Sequence, residues 1–316
     1  MKKFVFAFGA LLLVVTFAAA FIVWRYPMAV FNWSNRRALK SAGFEKLFVD
    51  TEAGKQAVWV AGSGPETIIL LHGLGDHAGS WSKIAPDLKT RYRVVVPDLA
   101  GHGDSAPQQG PLSVGTVLAA LNGIVEAESP KKPVILVGNS LGAWVAMLYA
   151  DKHPDRVERI VAVNGGAIKG DRPEYSHLPE TREDARKMFE AVVDPGTPKP
   201  ADFVLDDIVR QAKTGPMARM VQTAPEMGNY LLDDRLAEIK TPVDLLWGES
   251  DQLVPLSYAR RMEAGLRSVR LTAIPRCGHV PQQECPNTFS RALRVILDAG
   301  PAAPKQTDHT GSETSK

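Results

Sequence analysis

Ser140, Asp251 and His279 are the residues of this chain whose types and settings could supply a nucleophile, an acid and a base. A serine hydroxyl attacks a carbonyl carbon only as it gives up its proton, which a neutral imidazole can take and later return to the leaving group. A carboxylate beside that imidazole fixes its tautomer and stabilises the imidazolium that forms. Ser140 sits in Gly138-Asn139-Ser140-Leu141-Gly142. The apolar run before it, Pro133 to Val137, reads as a buried strand, and Leu141 to His153, rich in Ala and Leu, reads as a helix. A serine on so sharp a strand-to-helix turn has a strained backbone and a hydroxyl pushed out above the sheet, and the flanking glycines let strand and helix approach. The first N–H groups of the helix lie where negative charge develops during acyl transfer.

The elements that would position these groups can be read on either side. Thr67 to Leu71 reads as a second buried strand, ending in His72-Gly73-Leu74-Gly75-Asp76. Such a loop can aim the Leu74 N–H at the same oxyanion as the Leu141 N–H. Downstream, the strand Val243 to Trp247 leads to Asp251, and the strand-like run Val269 to Ile274 leads to Cys277-Gly278-His279. Each group therefore follows a strand, at the edge of an open sheet where ligands bind. Alone, Asp251 would read as a helix cap before Pro255 and His279 as a surface histidine; with Ser140 and the His72-Gly73 loop they read as a catalytic set. Asn164, after the strand Arg159 to Val163, cannot carry the charge of a rival acid. Asp98 and His102, after the strand Tyr92 to Val96, read as structural residues of a turn. Asp76 reads equally as a brace for the oxyanion loop or as a plain turn residue.

The chain order Ser, Asp, His is that of an α/β-hydrolase, and longer runs carry the same resemblance. His72 to Trp81 (HGLGDHAGSW), Pro97 to Ser105 (PDLAGHGDS), Gly138 to Trp144 (GNSLGAW), Leu245 to Pro255 (LLWGESDQLVP) and Cys277 to Pro286 (CGHVPQQECP) resemble serine α/β-hydrolases. Within that superfamily the chain is most similar to membrane-anchored lipases of the monoacylglycerol-lipase type, and Arg36-Arg37 with Ala42-Gly43-Phe44 resembles their juncture between anchor and catalytic domain. The resemblance spans residues 36 to 299. It implies an acyl-Ser140 intermediate, with Asp251 and His279 completing the triad and Leu74 and Leu141 forming the oxyanion hole. Those lipases often carry a second glycine after the elbow, where this chain has Ala143-Trp144, so their acyl-chain preference does not transfer.

Length and composition fit one α/β domain with an insertion. The chain has 316 residues, 45% of them hydrophobic, and a net charge of +2, which gives no basic stripe for nucleic acid. Alternating strands and helices without repeats indicate a mostly parallel, doubly wound sheet. With no phosphate loop and no metal-spaced His or Cys cluster, no cofactor and no metal are expected. The expected organisation is an N-terminal anchor or signal segment (1–25), a juxtamembrane linker (26–43), a hydrolase core (44–165 and 237–299), a helical lid (166–236) and a disordered tail (300–316). Helical pieces are expected at Glu183 to Val193 and Ala201 to Ala212, with Met188, Phe189, Met217, Met220, Met227 and Tyr230 available either to line a pocket or for ordinary packing.

Phe4 to Trp24 is uncharged and long enough as a helix, about 31 Å, to cross a bilayer, and Trp24, Tyr26, Phe31 and Trp33 suit its interface. A membrane anchor with an extracytoplasmic catalytic domain is the favoured reading; the alternative is a signal peptide cleaved at Ala18-Ala19-Ala20. The only two cysteines, Cys277 and Cys285, are expected as reduced thiols, with a bridge between them as the alternative. These readings converge on a serine carboxylic-ester hydrolase for monoacylglycerols or other medium-to-long acyl esters. The alternatives are a carbon–carbon bond hydrolase of ring-cleavage dienoates, which uses a similar triad, and a non-catalytic binding protein on the same fold.

Overall fold

The computed structural model describes residues 2–170 and 178–305. The chain opens with two helices, α1 (Lys2–Arg25) and α2 (Pro27–Ser41), then a hairpin of β1 (Glu45–Thr51) and β2 (Gly54–Ala61). There follow β3 (Thr67–Leu71), a short α3 (Ala85–Leu88), β4 (Arg93–Pro97), α4 (Val114–Glu128), β5 (Val134–Asn139), α5 (Leu141–Lys152) and β6 (Val157–Val163). An insertion carries α6 (Arg182–Val192), α7 (Asp202–Ala212) and α8 (Pro216–Val221). The chain then returns through β7 (Val243–Gly248), α9 (Leu256–Gly265), β8 (Val269–Ile274), α10 (Pro281–Glu284) and α11 (Pro286–Asp298).

The eight strands form one sheet in the order β1-β2-β4-β3-β5-β6-β7-β8. The β1–β2 and β2–β4 pairs are antiparallel and the remaining pairs parallel. The central strands β3, β5 and β7 are buried on both faces, which is why they read as unbroken apolar runs. Two cores sandwich the sheet. One is built on α4, α5 and α9, with Val117, Leu121, Tyr149 and Met262; the other on α2, α3 and α11, with Leu39, Trp81, Phe289 and Ile296. The chain crosses from β3 to β4 on one side and on to β5 on the other, so the strand order reverses between β3 and β5. Leu71 pairs with Gly138 there, which sets the loops after the two strands side by side, the crevice where open α/β sheets bind ligands.

The expected α/β-hydrolase fold is found, with the strands read from apolar runs lying within one or two residues of their observed bounds. Two local expectations are corrected and one pair of strands is added. Residues 26–43, read as a linker, contain the helix α2; the β1–β2 hairpin had no counterpart in the sequence reading; and Cys277 and Cys285 are joined as a disulfide, with Cα atoms 6.0 Å apart, not reduced. Among the described residues no single helix is long and apolar enough to cross a membrane; Leu11–Arg25 and Pro27–Ser41 meet that test only as a pair, bent by 100°. Of the expected disordered tail, residues 306–316 lie outside the described residues, as do residues 171–177 of the insertion.

Candidate active site

Ser140 caps the N-terminus of α5 with φ +54°, a backbone conformation that costs a non-glycine residue about 1–3 kcal/mol. The turn is possible because its neighbours are small. A methyl group on Gly138 would lie 2.3 Å from the Gly142 carbonyl carbon, one on Gly142 2.4 Å from Leu71 O, and one on Gly165 2.5 Å from Ser140 Cα. The Ser140 N–H donates to Val163 O, so the nucleophile candidate is tied to β6 as well as to its own strand.

His279 Nδ1 lies 2.7 Å from Asp251 Oδ2 in a buried contact. Donation from Nδ1 leaves Nε2 unprotonated, the tautomer a general base needs. Asp251 is held from several directions: Oδ1 accepts from the N–H groups of Leu253 and Val254, and Oδ2 also accepts from Asn164 Nδ2 at 2.7 Å. Asn164, discounted as an acid, is thus a direct partner of the acid, and its Oδ1 accepts from the Gly248 N–H. The histidine loop is fixed similarly. Asn139, next to Ser140, donates to His279 O at 2.8 Å and accepts from Gln282, while the His279 N–H donates to Val192 O at the end of α6. The disulfide closes this loop around His279.

The loop after β3 is shaped by two histidines. His72 Nε2 accepts from the Leu99 N–H at 2.9 Å, and His102 Nε2 accepts from the Gly75 N–H at 3.0 Å. Both roles require an unprotonated Nε2. Burial, the largest cause, holds His72 well below the ordinary histidine range and lowers His102 to about 4. Asp98 accepts from the N–H groups of Ala78 and Asp104, so it and His102 are structural, as their sequence setting indicates. Asp76 resolves to the bracing role: Oδ1 accepts from the His77 N–H and Oδ2 from Gln283 Nε2 at 2.8 Å, joining this loop to the histidine loop. Burial pushes its carboxyl up to about 7. The backbone N–H groups of Leu74 and Leu141 have no partner among the described residues.

Six half-buried apolar side chains, Leu74, Trp144, Met227 with Tyr230, and Val254 with Leu256, come from four segments and pack on the core that holds α5. Met220, grouped with the lining candidates on sequence, is instead fully buried. No group of His, Cys, Asp and Glu able to hold a metal occurs among the described residues.

Known proteins share this architecture. A membrane phospholipase A, described as a bacterial virulence factor, superposes with a TM-score of 0.75 at 27% identity over 95% of this chain and 99% of its own. A carboxylesterase from Bacillus subtilis has a TM-score of 0.70 over 85% of this chain and 99% of its own, but at 19% identity that shows the fold alone. In sequence, the 2-hydroxy-6-oxo-6-phenylhexa-2,4-dienoate hydrolase of Burkholderia cepacia is 29% identical over 263 residues, 76% of this chain and 90% of that protein. Residues 68–292 match the alpha/beta hydrolase family, which spans well over half the sequence and both β3 and the His279 loop, and the chain belongs to that family.

Proposed function

We propose that the protein is a serine carboxylic-ester hydrolase that works through an acyl-enzyme on Ser140. The observation that carries this reading is the Asp251–His279 hydrogen bond at the sheet edge that also holds Ser140, with the Leu74 and Leu141 N–H groups unpartnered. As Ser140 Oγ attacks the ester carbon, His279 Nε2 takes its proton and the Asp251 carboxylate stabilises the resulting imidazolium. The Leu74 and Leu141 N–H groups hold the tetrahedral oxyanion, each worth on the order of 100 to 1,000-fold in rate. His279 then protonates the leaving alcohol, and water, activated by the same imidazole, cleaves the acyl-Ser140 ester. Residues 166–236 act as the lid; residues 191–194 bond the acid loop, with the Gln252 N–H donating to Ala191 O and Ser250 Oγ to Asp194, and the base loop, with the His279 N–H donating to Val192 O.

The half-buried apolar side chains of Leu74, Trp144, Met227 and Tyr230, on the core that also holds α5, support acyl esters of medium to long chain, monoacylglycerols among them. The exposed apolar α1, bent against α2, supports a membrane-seated protein with its catalytic domain outside the cytoplasm. A second reading, hydrolysis of a carbon–carbon bond in ketonic dienoates, is supported by the likeness to the Burkholderia cepacia enzyme.

The test is hydrolysis of an ester series, from nitrophenyl acetate to monooleoylglycerol, by wild type and Ser140→Ala, with fluorophosphonate labelling in parallel. Ser140→Ala is expected to lower turnover by roughly a million-fold. Near-native turnover in that variant overturns the assignment; cleavage of a dienoate without ester cleavage selects the second reading.

A further inference from the structure

We propose that Trp144 closes the far end of the acyl pocket and sets the longest acyl chain the enzyme accepts, an inference that rests on the ester-hydrolase reading above. α5 is buried along its first ten residues, Leu141 to Ala150, except at Trp144. Trp144 is thus the one residue in that stretch of the helix whose side chain stays partly exposed. Trp144 lies one helical turn beyond the nucleophile, its backbone N–H donating to Ser140 O at 3.1 Å.

The indole is held in place from the insertion. Its Nε1 donates to Tyr230 O at 2.7 Å. Tyr230 is itself seated on α4, where the absence of a side chain at Gly115 admits the phenol: a methyl group there would lie 2.4 Å from the Tyr230 hydroxyl oxygen. The wall formed by Trp144 and Tyr230 is thus pinned to two core helices at once. Once the carbonyl carbon is bonded to Ser140 Oγ and its oxygen lies between the Leu74 and Leu141 N–H groups, the alkyl tail is left to run along the half-buried apolar side chains. Leu74, Met227 and Tyr230, half-buried and packed on the same core as Trp144, are the side chains this proposal assigns to that course. A tail long enough to reach the indole meets the bulkiest of side chains, one whose donor is already committed and which cannot turn away without leaving a polar N–H unpaired.

The chain-length profile of kcat/KM, on nitrophenyl esters from acetate to palmitate, tests this in the full-length protein. Trp144→Ala is expected to move the optimum to longer chains. Each methylene newly buried is worth about fourfold, so the longest ester should gain on the order of tenfold or more over butyrate. Trp144→Phe keeps most of the bulk and loses only the donor, so its profile should stay close to wild type while its Tm falls. Gly115→Ala displaces the Tyr230 ring and should shift the profile in the same direction as Trp144→Ala, by less. Equal loss across all chain lengths in Trp144→Ala, or a profile shift of the same size in Trp144→Phe, overturns the proposal while leaving Ser140-dependent hydrolysis standing. Absence of fluorophosphonate labelling and of Ser140-dependent ester cleavage in wild type removes the ester-hydrolase reading, and this inference with it.

Discussion

Asp76 shows how one side chain can brace a site and cost stability at the same time. Its carboxylate joins the loop after β3 to the loop of His279 through Gln283, yet it does so where burial pushes its pKa up to about 7. In the unfolded chain an aspartate ionises near 4. Between about pH 4 and 7 the folded protein keeps a proton that the unfolded chain has released, so Asp76 lowers stability as pH rises through that window and by a constant amount above it. His72 and His102 act in the opposite sense: held neutral by burial, they cost stability as pH falls below the ordinary histidine range. Asp76→Asn isolates the first effect. Its Tm relative to wild type is expected to rise from pH 4 to pH 7 and then level off, and a gap that does not change with pH refutes the assignment.

At the scale of elements, the bend between α1 and α2 is clasped by a helix of the insertion. Buried Asp207 on α7 accepts the Met28 N–H at the start of α2, and it pairs with Arg210 at 2.7 Å, whose guanidinium donates to Arg25 O at the end of α1. One ion pair therefore caps two helix ends, which ordinarily lack partners. Asp207→Ala removes the partner of the part-buried Met28 N–H and of the Arg210 guanidinium and is expected to cost about 1 kcal/mol, read as a Tm loss by thermal denaturation. Because the two residues act through one clasp, Asp207→Ala with Arg210→Ala should cost less than the sum of the single changes; additive losses show that the clasp is not a unit. This contact also explains why α2 was not legible. Its sequence is polar and basic, only Leu39 is buried, and the residue that caps its start lies 179 positions away. The β1 strand was hidden for a related reason: at the sheet edge it buries Val49 alone, so it lacks the apolar run that announced β3 and β5. Ser140, Asp251 and His279 were legible because each is marked by neighbours in the chain. Asn164 is marked by the strand before it only as a residue that cannot be the acid, and its bond to Asp251, like that of Gln283 to Asp76, forms between positions far apart in the chain.

For the whole molecule, the physical question is what faces the apolar N-terminal helix. Leu11 to Val15 are each more than half exposed and Phe17 is 73% exposed, a contiguous surface that a protein free in water seldom presents. Beyond the bend, Trp33 is 61% exposed with the Arg37 guanidinium 5.6 Å from its ring centre, and Arg25 stands over Tyr26. Aromatic rings paired with cations suit the boundary between lipid and water. The disulfide beside His279 is of the kind that persists in oxidising compartments. If α1 is held by its apolar surface, the full-length protein should stay with membranes or vesicles at high salt, where surface electrostatics are screened, and leave only with detergent. A single arginine at Leu13 should weaken that hold, since a charge at the membrane centre costs about 2.5–3.5 kcal/mol, and it should shift protein into the soluble fraction with Ser140-dependent turnover of short soluble esters intact. Release by salt alone, or a Leu13→Arg variant that partitions as wild type does, refutes insertion of α1.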